Sequence, residues 1–283
     1  MTRPSWQLPK GVDRGTWDYI ESPSIAGDYE SFLDSHALFQ LDTKIVREQL
    51  AELSTNFLST DFENGPLIAA DLGCGTGRIA RHFGQASPSQ DSSSEVRPPT
   101  TRWINIDLSQ HMLRESIQLA GDDQINRVEI RGNLTELDFL RDASLHLCAC
   151  LFSSIGMIRG RSNRRQLIRS ANRSLKPGGQ LILHVHNRYH SVFEPGGVRW
   201  LATSYMKSFR RAHEFGDRVY PYRGLPAMFL HIYSRRELLH NLRSGGFRKI
   251  DIRPISSDGS AQLPRATPMK WLRSGGFIAI ATA

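Results

Sequence analysis

The chain has 283 residues, a mass of 32.0 kDa and 39% apolar residues, enough for one α/β domain with additions, since single cores stop growing near roughly 250–300 residues. No run approaches the ~18 apolar residues that a membrane helix needs, and the opening MTRPSWQLPKG has no apolar signal-peptide segment, so a cytoplasmic protein with no membrane partner is expected. The net charge of +8 is unevenly spread: residues 1–142 hold 13 Lys/Arg and 22 Asp/Glu, residues 143–283 hold 23 and 6, which points the two halves at different chemistry.

Residues 1–66 read as an N-terminal cap and helix. Aromatic residues from Trp6 to Phe39 alternate with Pro and Gly, an ordered but irregular mixture, and residues 41–57 then place Leu41, Ile45, Leu50, Leu53 and Phe57 at helical spacing. LIAADL (67–72), a glycine cluster and RIARHFG (78–84) give strand, turn and helix in succession. The segment 85–101 is Ser, Pro and Thr with hardly an apolar residue and reads as a flexible insertion that buries too little surface to fold alone. RWINIDL (102–108), RVEIRGN (127–133), SLHLCACLF (144–152) and GQLILHVHN (179–187) follow as strands separated by helical stretches. Such alternation implies a mostly parallel sheet with helices on both faces. Cys148 and Cys150 alternate within an apolar run, and with Cys74 they read as small buried hydrophobes; no metal site is expected.

Beyond Asn187 the pattern breaks into an aromatic and Arg-rich stretch, 188–228, which reads as a substrate lid inserted after the fifth strand. Residues 229–283 supply one more helix, within HIYSRRELLHNLRSGG, and two more strands, FRKIDIRPIS and GGFIAIATA, completing a seven-stranded sheet. The stretch 159–176 carries seven Arg/Lys and no acid. Leu167, Ile168, Ala171 and Leu175 make it amphipathic, with its arginines expected to face water or to bind anions.

In Asp-Leu-Gly-Cys-Gly-Thr-Gly, residues 71–77, the glycines at 73, 75 and 77 allow a strand to turn sharply into a helix while a ligand approaches the backbone. The spacing differs from the G-x-G-x-x-G of dinucleotide binders, and Asp71, two residues before the first glycine, suits a ligand with ammonium and sulfonium charge. Asp107 ends the second strand, where an acid can accept both hydroxyls of a ribose; it also reads as the N-cap of the next helix. His184 and His186 share one face of the fifth strand and His190 follows, so one of them, His186 first, could act as a base near neutral pH, while each also reads as a hydrogen-bonded core or rim histidine.

AADLGCGTGRIA resembles the first motif of the class I S-adenosylmethionine-dependent methyltransferases, INIDLSQHML the second, and SLKPGGQLILHV the turn into the fifth strand; the resemblance covers residues 67–187. It implies a Rossmann-like fold and S-adenosyl-L-methionine as cofactor. It also implies that Asp71 and the backbone of Gly73, Cys74, Gly75 and Gly77 meet the methionyl part, that Asp107 holds the ribose, and that Leu108 and Met112 flank the adenine. Asn133 stands where an acid is expected at the adenine edge, with Leu134 beside it. LFSSIGMI (151–158) resembles the motif after the fourth strand in small-substrate members, so Leu151, Phe152 and Ser153 should border cofactor and acceptor, with Tyr29 a further substrate contact. The expected activity is methyl transfer by in-line displacement to a small acceptor, an anionic one among the options. The alternative is a tRNA methyltransferase of the wobble-uridine type, for which the basic half would hold RNA; AMFLHIYSRRELLHNLRSGGF loosely resembles the late segment of those enzymes as well as of small-molecule ones.

Overall fold

The computed structural model describes residues 7–34, 37–58, 65–84, 100–121, 126–210 and 213–283. Apolar runs too short for a helix become the strands of one seven-stranded sheet: β1 (Leu67–Leu72), β2 (Thr101–Asp107), β3 (Arg127–Arg131), β4 (Leu145–Cys150), β5 (Leu175–His186), β8 (Lys249–Ile255) and β9 (Gly276–Thr282). Their order is β3-β2-β1-β4-β5-β9-β8. The pairs from β3 to β5 are parallel, and β9 runs antiparallel to both β5 and β8. The order reverses between β1 and β4, so a crevice opens beyond the carboxyl ends of these strands, where open α/β sheets place ligands.

Alternating side chains of each strand serve opposite faces. Ala70, Leu72, Cys148, Cys150, Leu181 and Leu183 meet Leu167, Ile168 and Ala171 of α7 (Arg161–Ser174) and Leu238 and Leu242 of α9 (Arg235–Ser244). Ala69, Leu147, Ala149 and Ile182 face Ile45, Leu50 and Leu53 of α4 (Ala37–Leu58) and Ile79 and Phe83 of α5 (Arg78–Gly84). Full burial of each such Leu or Ile stabilises the fold by roughly 1.5–3 kcal/mol. The three cysteines are buried and unpaired, and burial pushes the thiols of Cys148 and Cys150 up, that of Cys148 to about 12.

The cap is more regular than its composition suggested. Asp13 caps α1 (Arg14–Ile20), Ser22 caps α2 (Pro23–Gly27), and α3 (Tyr29–Asp34) follows. Trp6 and residues 85–99 of the Ser/Pro-rich stretch lie outside the described residues, and Thr101 already opens β2. The stretch after Asn187 is likewise built from elements: a 3-10 turn (Arg188–Phe193), α8 (Gly197–Lys207), and a hairpin of β6 (Asp217–Tyr222) and β7 (Leu225–His231) that forms its own two-stranded sheet. Within HIYSRRELLHNLRSGG, His231 ends β7 and the helix starts after Ser234, whose hydroxyl accepts from the Glu237 amide at 3.2 Å.

The apolar side of α7 packs on the sheet, but its arginine side is not uniformly solvated. Arg164 is fully buried; it donates to Glu214 at 2.7 Å and to the Ile158 carbonyl at 3.0 Å. Arg165 donates to Asn241 at 3.0 Å, Arg161 pairs with Glu214, and Arg173 reaches the Leu137 and Leu140 carbonyls and Asp142. An acid 50 residues away in sequence cannot be seen by counting charges along one helix. Among the described residues, no helix is long and apolar enough to cross a membrane.

Candidate functional site

β1 and β2 end side by side, and the loop after β1 is tied to the end of β2 by its backbone. The amides of Gly73 and Cys74 donate to the Ile106 carbonyl at 2.7 and 3.1 Å, and that of Gly75 donates to the Asp107 carboxylate at 2.9 Å. Gly73 (φ +82°) and Gly75 (φ +55°) adopt left-handed conformations that side chains oppose, and Gly73 also lacks room for one. A Cβ at Gly73 would stand 2.8 Å from the Ser154 Cβ, and one at Gly75 3.4 Å from the Tyr29 ring. The loop is thus a backbone cradle facing a cavity of about 310 Å³.

Asp107 forms one wall of this cavity. Its second oxygen accepts from the Ser109 amide at 2.8 Å, and Ser109, not Asp107, caps α6 (Gln110–Ala120) by accepting from Met112. Burial pushes the Asp107 carboxyl up, and the amides of Ser109, Gly75 and Leu108 oppose that shift. Two fixed amides hold the carboxylate rigidly, and each oxygen keeps a lone pair for a further donor. Leu108, Met112 and Leu134 continue the wall, as does Asn133. The Asn133 amide is engaged within the protein: it donates to the Lys10 carbonyl at 3.0 Å and accepts from Thr135 at 3.1 Å, which anchors the start of the cap.

Across the cavity the loop after β4 is strained. Phe152 (φ +48°) and Ser153 (φ +62°) are consecutive non-glycine residues in the left-handed region, a conformation of order 1–3 kcal/mol each that clusters at ligand sites. Ser153 is 1% exposed, and its hydroxyl has no hydrogen-bond partner among the described residues although it borders the cavity. A buried orphan hydroxyl beside a cavity marks a place for a ligand's polar atom.

The cavity has a roof made by two segments far apart in sequence. α1 lies on β7 so closely that a Cβ at Gly15 would fall 1.4 Å from the Ala227 carbonyl oxygen. Arg223, at the hairpin tip, donates to the Asp28 carbonyl at 3.0 Å. Tyr19, Ile20 and Tyr29 from the cap and Tyr220, Tyr222, Met228 and Leu230 from the hairpin complete the wall, with His186 at the end of β5. Burial lowers the His186 pKa below its ordinary value, with Glu194 opposing, so its imidazole is neutral at pH 7.

The structure therefore brings Tyr29, Gly73, Gly75, Asp107, Leu108, Met112, Asn133, Leu134, Phe152, Ser153 and His186 to one cavity. Asp71, Cys74, Gly77 and Leu151 are not in its wall. Asp71 is buried within electrostatic reach of Arg78 and Asp42, and burial pushes its carboxyl up to about 7. His184 is buried with neither ring nitrogen bonded among the described residues. Sequence reasoning passed over Ile20, Met228 and Leu230, because apolar residues in a cap or hairpin carry no signal until the roof is assembled.

Residues 69–179 match the methyltransferase domain family. They form a class I S-adenosylmethionine-dependent methyltransferase domain. Its sheet resembles that of an S-adenosylmethionine-dependent methyltransferase from Methanosarcina mazei, at 17% identity and a TM-score of 0.53 over 80% of this chain and 96% of that one. It also resembles the 1,6-didemethyltoxoflavin-N1-methyltransferase of Burkholderia thailandensis, at 15% identity and a TM-score of 0.54 over 94% and 85%. At such identities the likeness shows the fold. A search of curated proteins finds no match.

The residues of this methyltransferase fit S-adenosylmethionine, its cofactor: the side-chain-free cradle would meet its backbone-facing part, the preorganised Asp107 carboxylate would accept from the ribose hydroxyls, and apolar Leu108 and Met112 would flank the adenine. Replacing Gly75 by Val should weaken binding of S-adenosylhomocysteine at least tenfold in calorimetry with little change in circular dichroism, because the added carbons fill the cradle. Undiminished affinity would make the loop a turn and nothing more.

Away from the cavity, His231, Asp217, Glu237, Glu214, Arg164 and Arg188 form a buried network. His231 bonds Asp217 at 2.8 Å and Glu237 at 2.9 Å, and Arg188 pairs with Glu237. Glu214, His231 and Glu237 bring their ligand atoms within 4.8 Å of one another, but the two arginines already balance the acids, so the group joins α7, the hairpin and α9 as an ion-pair network.

Proposed function

We propose that this methyltransferase acts on a small acceptor held between the roof and the 73–77 loop, with His186 taking the acceptor's proton. The observation that carries the reading is the shared cavity: Gly73, Gly75 and Asp107 on the cofactor side and Tyr222, Met228 and His186 on the other line one roofed volume of about 310 Å³. Lys10, exposed at the start of the cap, is the single Lys or Arg in that wall, which gives an anionic acceptor little to bind. Three arginines of α7, part of the basic half on which the tRNA alternative rests, are tied to Glu214, Asn241, Asp142 and backbone carbonyls, which leaves fewer of them for phosphate.

When bound, the cofactor supplies an electrophilic methyl group on a positively charged sulfur with a good leaving group. The protein's part is alignment and exclusion of water. The cradle and Asp107 fix one reactant, the strained 152–153 loop and the roof fix the other, and the imidazole of His186, which burial keeps unprotonated, is free to accept a proton.

A radiolabel-transfer assay with cell extract tests the reading: label should appear in the small-molecule ultrafiltrate, and label confined to the RNA fraction would reverse it. The pH profile tests His186. Since its pKa lies below the ordinary ~6.5, kcat/KM should rise with pH through an acid limb centred below that value and stay flat above it. His186→Asn should remove the limb and lower kcat by about 10²–10⁴-fold; an unchanged limb would assign the proton transfer to another group.

A further inference from the structure

We infer that the acceptor is an uncharged, flat aromatic ring bearing the O–H or N–H that is methylated, bound face and edge against Tyr19, Tyr29, Tyr220 and Tyr222. The inference rests on the proposed methyl-transfer reading of this cavity and names the class of its substrate.

The roof segments each contribute two of these tyrosines, and their rings are set at angles to one another. Tyr19 and Tyr222 lie 6.1 Å apart at 47°, and Tyr220 and Tyr222 lie 6.0 Å apart at 75°. Tilted rings at such spacings offer a guest both π faces and positive edges, the two surfaces that offset-stacked and edge-to-face aromatic pairs use. An aliphatic acceptor gains nothing from them beyond area. Burial pushes all four tyrosine hydroxyls up in pKa, so they remain neutral donors.

Charge decides between a neutral ring and an ammonium, which tyrosines also attract. Arg223 sits over the Tyr29 ring, 5.8 Å from its centroid, and already places a cation at this end of the cavity. Asp107, the acid in the wall, holds the Gly75 and Ser109 amides and faces the ribose position. Among the described wall residues no acid other than Asp107 is present to balance a second cation. Among the described wall residues the Lys or Arg is the exposed Lys10, and Arg223, outside that wall, donates to the Asp28 carbonyl, so a carboxylate or phosphate finds no buried counter-charge in the wall itself. Ser153 supplies the orphan hydroxyl that a ring substituent can satisfy.

The step balances without a further reactant. A lone pair on the ring's oxygen or nitrogen forms the bond to the methyl carbon as the carbon–sulfur pair leaves to sulfur, and the heteroatom's proton passes to the His186 imidazole, which returns it to water. The products are the methylated ring and S-adenosylhomocysteine.

Calorimetry on the full chain saturated with S-adenosylhomocysteine tests this with hydroxyquinoline and indazole against cyclohexanol, cyclohexanecarboxylate and tetramethylammonium. The aromatic pair should bind at least tenfold more tightly than the other three. Replacing Tyr220 and Tyr222 by Leu, which keeps bulk but removes the π faces, should cut ring affinity at least tenfold while S-adenosylhomocysteine affinity stays within about twofold. If the carboxylate or ammonium probe binds best, if the aromatic probes bind no better than cyclohexanol, or if the Leu variant keeps its ring affinity, the substrate class is wrong. Failure of S-adenosylhomocysteine itself to bind would instead sink the methyl-transfer reading. Should the double variant not fold, Tyr222→Leu alone gives the same comparison.

Discussion

Replacing Arg164 by Leu is expected to lower the free energy of unfolding by about 3–5 kcal/mol, the range for removing one partner of a buried ion pair. Its side chain is fully buried, donates to the Ile158 carbonyl and to Glu214, and lies 5.8 Å from the centroid of the Tyr233 ring. Removing it leaves Glu214 with the exposed Arg161 and the amide at the start of α7, and leaves the Ile158 carbonyl without that donor. The same acid side chain sits beside the Asp217 and His231 pair, so the loss should reach the hairpin. Equilibrium denaturation measures it, and a loss below 1 kcal/mol would mean that the network is dispensable. Removing Glu214 as well, in an Arg164→Leu, Glu214→Leu double variant, should restore part of the loss, because the unpaired charge goes with it.

Asp107→Ala should weaken binding of S-adenosylhomocysteine by about 2–4 kcal/mol, roughly 30- to 1,000-fold, since a hydrogen bond to a charged group contributes about 1.5–3 kcal/mol and the ribose offers two hydroxyls. Part of the effect is indirect. The carboxylate also bonds the Gly75 amide at 2.9 Å, so its removal loosens the cradle along with the ribose contact. Titration calorimetry reads the affinity and thermal denaturation the fold. A variant that binds normally but melts earlier would reduce Asp107 to a structural brace for the loop.

The sheet could be read from the sequence because its strands are short apolar runs separated by helical spacing, and each of β1, β2, β4 and β5 falls within a residue or two of its expected bounds or, for β5, starts four residues earlier at Leu175. The part of the cavity wall at the ends of β1 and β2 was legible for the same local reason: Gly73, Gly75 and Asp107 sit at strand ends, where sequence position and spatial position coincide. The roof was not. Tyr19, Tyr222 and Met228 are aromatic or apolar residues in segments about 200 residues apart, and only the packing of α1 on β7 makes them one wall. The burial of Arg164 was hidden likewise, because its partner Glu214 belongs to a different element. Gly15 carried no signal either, since its need for close backbone approach depends on Ala227.

The hairpin of β6 and β7 forms a two-stranded sheet separate from the seven-stranded one, and this separation bears on how the chain can change its chemistry over generations. The residues proposed to meet the cofactor are the ends of load-sharing strands, where a substitution is felt by the whole core. Tyr220, Tyr222 and Met228 stand on a ribbon whose register is its own, so its side chains can vary without shifting any pairing in the main sheet. Lineages carrying this arrangement should therefore diversify in what they methylate by drifting along the ribbon and the facing turns of α1, while the groups that hold the methyl donor stay put.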